Sequence, residues 1–203
     1  PDGFTWTIGS SAADNEWRSV TFGNNIFVAV SYTGSGNRVM TSPDGFTWTI
    51  GSSAADNEWR CVAFGNNIFV AVSSSGSGNR VMTSPDGFTW TIGSSAINNN
   101  WVSVTFGNNI FVAVSSRGSG NRVMTSPDGF TWTIGSSAAD NEWRSVTFGN
   151  NIFVAVSYTG SGNRVMTSPD GFTWTIGSSA ADNAWLSVTF GNNIFVAVSN
   201  SGN

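Results

Sequence analysis

WRSVTFGNNIFVAVS, residues 17–31, holds the pattern from which the rest of the chain follows. Two β-rich runs, Trp17–Phe22 (WRSVTF) and Ile26–Ser31 (IFVAVS), flank Gly23-Asn24-Asn25. Those three residues tolerate the positive φ that a tight hairpin demands. The second run is apolar at nearly every position. A strand of that kind needs cover on both faces, so one hairpin cannot be the whole structure.

Working outward, Gly34-Ser35-Gly36 leads to a third run, Arg38–Thr41 (RVMT). Ser42-Pro43-Asp44-Gly45 then makes a turn, in which proline presets φ, Asp caps backbone N–H groups and glycine takes the left-handed position. A fourth run, Phe46–Ile50 (FTWTI), places Phe46, Trp48 and Ile50 on one side and Thr47 and Thr49 on the other. Nothing shows helical periodicity.

The unit recurs every 42 residues, with PDGFTWTIGSSA opening at Pro1, Pro43, Pro85, Pro127 and Pro169. The repeats are 1–42, 43–84, 85–126, 127–168 and an incomplete 169–203. A period in this range marks a repeat architecture whose units cannot bury their apolar faces alone. Four antiparallel strands per unit, five times over, predict an all-β single domain, a five-bladed β-propeller. A β-trefoil needs three-fold repetition, and a β-helix uses shorter coils. One blade is expected to be split: Phe4–Ile8 supplies its fourth strand, and Trp185–Phe190 and Ile194–Ser199 its first and second. Its third strand is missing from the sequence, so either residues beyond the given ends supply it or the ring closes imperfectly. The open edge invites pairing with another chain, so a homo-oligomer formed by strand exchange is expected.

Ten Trp and fifteen Phe recur at fixed repeat positions and provide for a core. Charged residues make up 10%, against a usual ~25%, so hydroxyl and amide groups carry solubility. All eight basic residues are Arg. The net charge of −4 argues against nucleic acid or an anionic membrane surface as partner. No apolar run is long enough for a helical membrane span. The chain opens in mid-repeat without an initiator Met or signal peptide, as a fragment or processed piece would. An extracellular or surface-exposed location is the weak preference of this composition.

SPDGFTW, at 42–48, 84–90, 126–132 and 168–174, resembles the Asp-box (BNR) motif of sialidase-like β-propellers, Ser-x-Asp-x-Gly-x-Thr-Trp. It lacks the residue between Asp and Gly, which implies a turn one residue tighter. The resemblance implies a structural role for Asp44, Asp86, Asp128 and Asp170. It does not extend to catalysis: the arginine cluster and tyrosine–glutamate pair of sialidases have no counterpart here. The five-blade architecture is also similar to tachylectin-type lectins, a likeness that implies sugar binding between blades.

The repeats differ from one another mainly in two places. AADNEWR at 12–18 becomes AINNNWV at 96–102 and AADNAWL at 180–186. After the second strand stand Tyr32-Thr33, Ser74-Ser75, Ser116-Arg117, Tyr158-Thr159 and Asn200-Ser201. In an up-and-down blade these two loops share one end, so one face of the disc varies while the GNN and SPDG turns hold the other constant. Recognition belongs on such loops. The candidate ligand contacts are Asn15, Glu16, Arg18 and Tyr32 in the first repeat, and Glu58 and Arg60 in the second. Asn100 and Arg117 follow in the third, and Glu142, Arg144 and Tyr158 in the fourth. Glu16 and Arg18 are expected to share a side and pair.

Catalytic, metal and cofactor sites are not expected. Histidine is absent, the single Cys61 cannot build a zinc site, and Asp14-Asn15-Glu16 lacks the alternating spacing of a calcium loop. Cys61 stands where other repeats have Ser and is expected to be an inert small side chain. Trp17 and its equivalents suit a wedge between blades better than a sugar platform. The function expected from this pattern is a non-enzymatic, multivalent module binding carbohydrate. The alternative is an amplified or engineered structural propeller without a dedicated ligand.

Overall fold

A computed structural model describes residues 3–202; the outermost bounds of the first and last repeats, at Pro1 and Asn203, lie outside the described residues. The first sheet comprises β1 (Trp17–Gly23), β2 (Ile26–Ser31), β3 (Val39–Ser42) and β4 (Thr49–Gly51). The second has β5 (Trp59–Gly65), β6 (Ile68–Ser73), β7 (Val81–Ser84) and β8 (Thr91–Gly93), and the third β9 (Trp101–Gly107), β10 (Ile110–Ser115), β11 (Val123–Ser126) and β12 (Thr133–Gly135). The fourth has β13 (Trp143–Gly149), β14 (Ile152–Ser157), β15 (Val165–Ser168) and β16 (Thr175–Gly177). Last come β17 (Trp185–Gly191) and β18 (Ile194–Ser199), a two-stranded sheet.

Each complete sheet is an antiparallel meander in chain order. Its hairpin turns on Asn24 and Asn25, at φ of 46° and 61°, as the local sequence demands. The fourth strand begins later than expected, at Thr49 rather than Phe46. The Asp44 carboxylate accepts the N–H groups of Phe46 and Thr47, both at 2.8 Å, so those residues stay out of the ladder with β3. Phe46 is accordingly exposed rather than sharing the buried side with Trp48. Arg38 likewise stands just outside β3.

The core lies between sheets. Val28, Val30 and Val39 of the first sheet close on Trp59, Val62, Phe69 and Met82 of the second. Val70, Val72 and Val81 meet Trp101, Val104, Phe111 and Met124 in the same way, and the pattern repeats into the fourth sheet. The IFVAVS strand therefore serves two interfaces: alternate residues face the preceding and the following blade. Trp59, Trp101 and Trp143 are fully buried at these seams, the wedge role expected of them.

Innermost strands neighbour one another in succession, β1 beside β5, β5 beside β9, β9 beside β13 and β13 beside β17. The series does not return from β17 to β1. The valine at one repeat position shows this: Val62, Val104, Val146 and Val188 are 4–7% exposed, whereas Val20 is 59% exposed. On the opposite face, Val28, Val70 and Val112 are fully buried while Val196 is 47% exposed. Phe4–Ile8 forms no ladder with β17 or β18. The fourth strand pairs with the third in each four-stranded sheet, and among the described residues the last sheet holds only β17 and β18.

Candidate functional site on the variable face

The two varying loops do meet at one end of each blade. Every first strand carries a register shift after its Trp, between Trp17 and Ser19 in β1. This bulge turns Glu16 and Arg18 outward beside the loop after β2. Tyr32 N–H donates to the Glu16 carbonyl at 2.8 Å, and Glu16 N–H donates to the Thr33 hydroxyl at 2.9 Å. Glu142, Thr159 and Tyr158 repeat the arrangement in the fourth blade.

The side chains expected to hold a ligand engage one another. Arg18 pairs with Glu16, and Arg144 with Glu142 at 2.7 Å. Tyr32 lies between two guanidinium groups, Arg18 at 5.1 Å from its own blade and Arg60 at 4.3 Å from the next. Arg144 sits 5.2 Å from the Tyr158 ring. There the next blade offers Leu186 in place of arginine, and Tyr158 is 37% exposed. In the second blade Arg60 donates to the Ser74 hydroxyl at 2.9 Å, and Ser74 in turn donates to Glu58 at 2.8 Å. Asn100 accepts from Arg80 at 3.4 Å, and Arg117 is exposed.

Asn15 is different. Its amide donates to the Asn37 carbonyl at 2.9 Å, tying two loops of one blade. Asn57, Asn99 and Asn141 do the same from buried positions.

Three further repeat positions escaped the sequence reading. Arg38 donates to the Gly34 and Tyr32 carbonyls at 2.9 and 2.7 Å and crosses to the Asn57 carbonyl of the next blade at 2.8 Å. It also lies 3.8 Å from Asp56, as Arg122 lies 3.7 Å from Asp140. Asp56 and its counterparts accept a glycine N–H from the preceding blade, at 2.7 Å from Gly36. Ser19, Ser103 and Ser145 accept the N–H groups of Val62, Val146 and Val188 at 3.1–3.2 Å, linking inner strands across blades. Cys61 interrupts this series; its thiol donates to the Val104 carbonyl at 3.6 Å, and burial raises its pKa. The available signal was recurrence: a polar residue kept at the edge of an apolar strand in successive copies.

At the opposite, invariant end, the Asp44 carboxylate is held at a pKa of about 2 by the Thr47 and Phe46 N–H groups and then the Ser42 hydroxyl. Asp86, Asp128 and Asp170 are lowered too, first by the N–H of Thr89, Thr131 and Thr173. Each is an anion locked into a turn. Among the described residues no group of three or more acidic or Cys side chains could hold a metal.

No protein-family model and no curated protein sequence matches the chain. Solved structures match in shape. Virginiamycin B lyase from Staphylococcus aureus superposes with a TM-score of 0.77 at 12% identity, over 92% of this chain and 64% of that one. The fold is a β-propeller. YCF48 from Cyanidioschyzon merolae gives 0.64 at 18% identity, over 93% of this chain and 65% of that one. The computationally designed Ika8 protein gives 0.66 at 18% identity, over 90% and 55%. The chain thus spans less than two thirds of each of these neighbours. At such identities the likeness shows the fold alone, and a lyase and a designed protein share it, so activity does not follow. These neighbours support a propeller, not specifically a sialidase-like or lectin assignment.

Proposed function

We propose that the chain is a non-enzymatic structural propeller, an array of one amplified or engineered unit without a dedicated ligand. The observation that carries this reading is the mutual engagement of the variable-face side chains. Glu16, Arg18, Tyr32 and Arg60 form one chain of ion pair and ring contacts, and Glu58, Ser74 and Arg60 another. Polar groups that recur in successive repeats, Arg38, Asn57 and Ser19 among them, go into holding loops and blades together. The computationally designed Ika8 and Ika4 proteins among the structural neighbours support a propeller that exists as architecture. The SPDG turn fits the same role: we infer a shortened Asp-box, a clamp with no chemistry of its own.

One observation favours a second reading, a multivalent glycan module. Tyr158 keeps a ring partly open beside Arg144, and exposed Arg117 lies on the preceding blade's loop. Repeated weak pockets of this kind would gain by avidity. A glycan array with follow-up titration decides between the two. The structural reading expects no saturable binding at millimolar sugar. Saturable binding abolished by Tyr158→Ala would overturn it.

A further inference from the structure

The first and last blades leave uncovered the two halves of one interface. Within the chain, the forward face of each blade carries Ile26, Val28 and Val30 or their equivalents, and it closes on the backward face of the next. The last blade presents that forward face to solvent through Ile194, Val196 and Val198. The first blade presents the backward face through Val20 and Phe22, and a groove of ≈ 430 Å³ there is lined by Trp17, Val20, Ala29, Met40 and Trp48. The sequences on both faces are those that seal the internal seams.

The match extends to a knob and its notch. At each internal seam a phenylalanine of the following inner strand lies over a glycine of the preceding one. A Cβ on Gly23, Gly65, Gly107 or Gly149 would meet Phe64, Phe106, Phe148 or Phe190 at 2.0–2.1 Å. Gly191 has nothing within 4 Å, and Phe22 is an exposed knob with no glycine beneath it. The outer end agrees. Gly87, Gly129 and Gly171 sit against the Ile and Val side chains of the preceding blade, whereas Gly45 has only its own Phe27 nearby.

The N-terminal segment is already seated for a preceding blade. Ser10 bridges Thr47 in parallel, and Ser94 bridges Thr131 in the same way at an internal seam, 84 residues on. Residues 4–8 therefore stand where the outer strand of a blade before β1 belongs, with Phe4, Trp6 and Ile8 exposed.

We propose that a second copy of this chain docks head to tail: its β17–β18 sheet covers the backward face of β1–β4, with Phe22 of one copy set over Gly191 of the other. The contact continues the series of internal seams from one chain into the next. The receiving copy's residues 4–8 then flank the composite blade on its outer side, separated from β18 by the position that a third strand takes in the four-stranded sheets. The two partner surfaces differ, so the contact is heterologous, and successive docking closes a ring or grows a filament as the curvature dictates. This deepens the structural reading above, but its outcome is independent of sugar binding.

The test is the mass in solution of the full chain and of variants at each face, by light scattering and sedimentation. Val20→Asp and Val198→Asp each place a charge on one open face. Each alone should weaken self-association by about 30-fold or more, as loss of a central interface residue does. Mixing the two leaves one intact face on each partner, and a 1:1 pair that grows no further is expected. Gly191→Leu provides a second block that needs no repacking within a single chain. A wild-type chain monomeric at every concentration overturns the proposal. So does undiminished association of the single-face variants, or a mixture that fails to pair.

Discussion

Gly107 and Gly191 occupy the same position in the third and fifth repeats, yet alanine at the two sites should act in opposite directions. A Cβ on Gly107 would stand 2.1 Å from Phe148 Cγ. Ordinary carbon contact is about 3.5–4.0 Å, so the ring would have to retreat by more than an ångström. Phe148 is itself backed by Phe153, with ring centroids 4.7 Å apart, and the retreat means separating β13 from β9. Overpacking costs about 1–3 kcal/mol where a core yields, and this seam yields little, so about 3 kcal/mol is expected. At Gly191 no atom lies within 4 Å, and its φ is outside the left-handed region. Alanine there only restricts the unfolded chain, which stabilises by about 0.4–1 kcal/mol. The two variants should therefore differ by about 3–4 kcal/mol. Urea unfolding followed by tryptophan fluorescence, at a dilution where single chains prevail, reads this as a shift in midpoint at common slope. Equal destabilisation at both sites, or a cost below about 1 kcal/mol at Gly107, would refute the blade-on-blade packing of this fold.

Arg38→Lys should destabilise by about 2 kcal/mol in urea unfolding, because a lysine cannot reproduce the fork that reaches three carbonyls on two blades. Cys61→Ser should stabilise by about 1 kcal/mol, since a hydroxyl there can accept the next blade's N–H as Ser19 does from Val62; a loss of stability would count against the inter-blade role of this position. The turn carboxylates have native pKa values below their unfolded ones, so they bind protons more readily when unfolded. Their contribution is full above about pH 4 and is lost as pH falls toward about 2, where Asp44 titrates. Stability measured across that window should decline, and Asp-to-Asn replacement at positions 44, 86, 128 and 170 should flatten the decline.

Most of the blade was legible because its signals are local. The hairpin from Trp17 to Ser31 followed from apolar runs around an Asn-Asn turn, and the need for cover on both faces of IFVAVS is met by alternating use of its side chains. The end of the blade that varies was legible too, since strand direction alone places those loops together. The start of the fourth strand was not. Phe46 and Thr47 read as strand residues, but the Asp44 carboxylate takes both of their N–H groups. Arg38, Asp56 and Ser19 escaped because their partners lie about half a repeat to a full repeat away, across a seam that only the folded arc brings together. The gap between β17 and β1 was legible only as one of two outcomes of the missing third strand. Near-identical repeats give no hint that Val20 is exposed while Val104 is buried, a difference set by neighbours rather than by residue type.

Thiol labelling tests the open arc most directly. In a Cys61→Ser background, single cysteines replace Val20, Val104 and Val198, three valines of the blade faces. Cysteines at 20 and 198 should react with a thiol reagent at nearly the unfolded rate in dilute solution, while that at 104 should react only through unfolding. Uniform protection at all three would mean a closed ring, uniform reactivity would mean blades that do not cover one another, and either result would contradict the account.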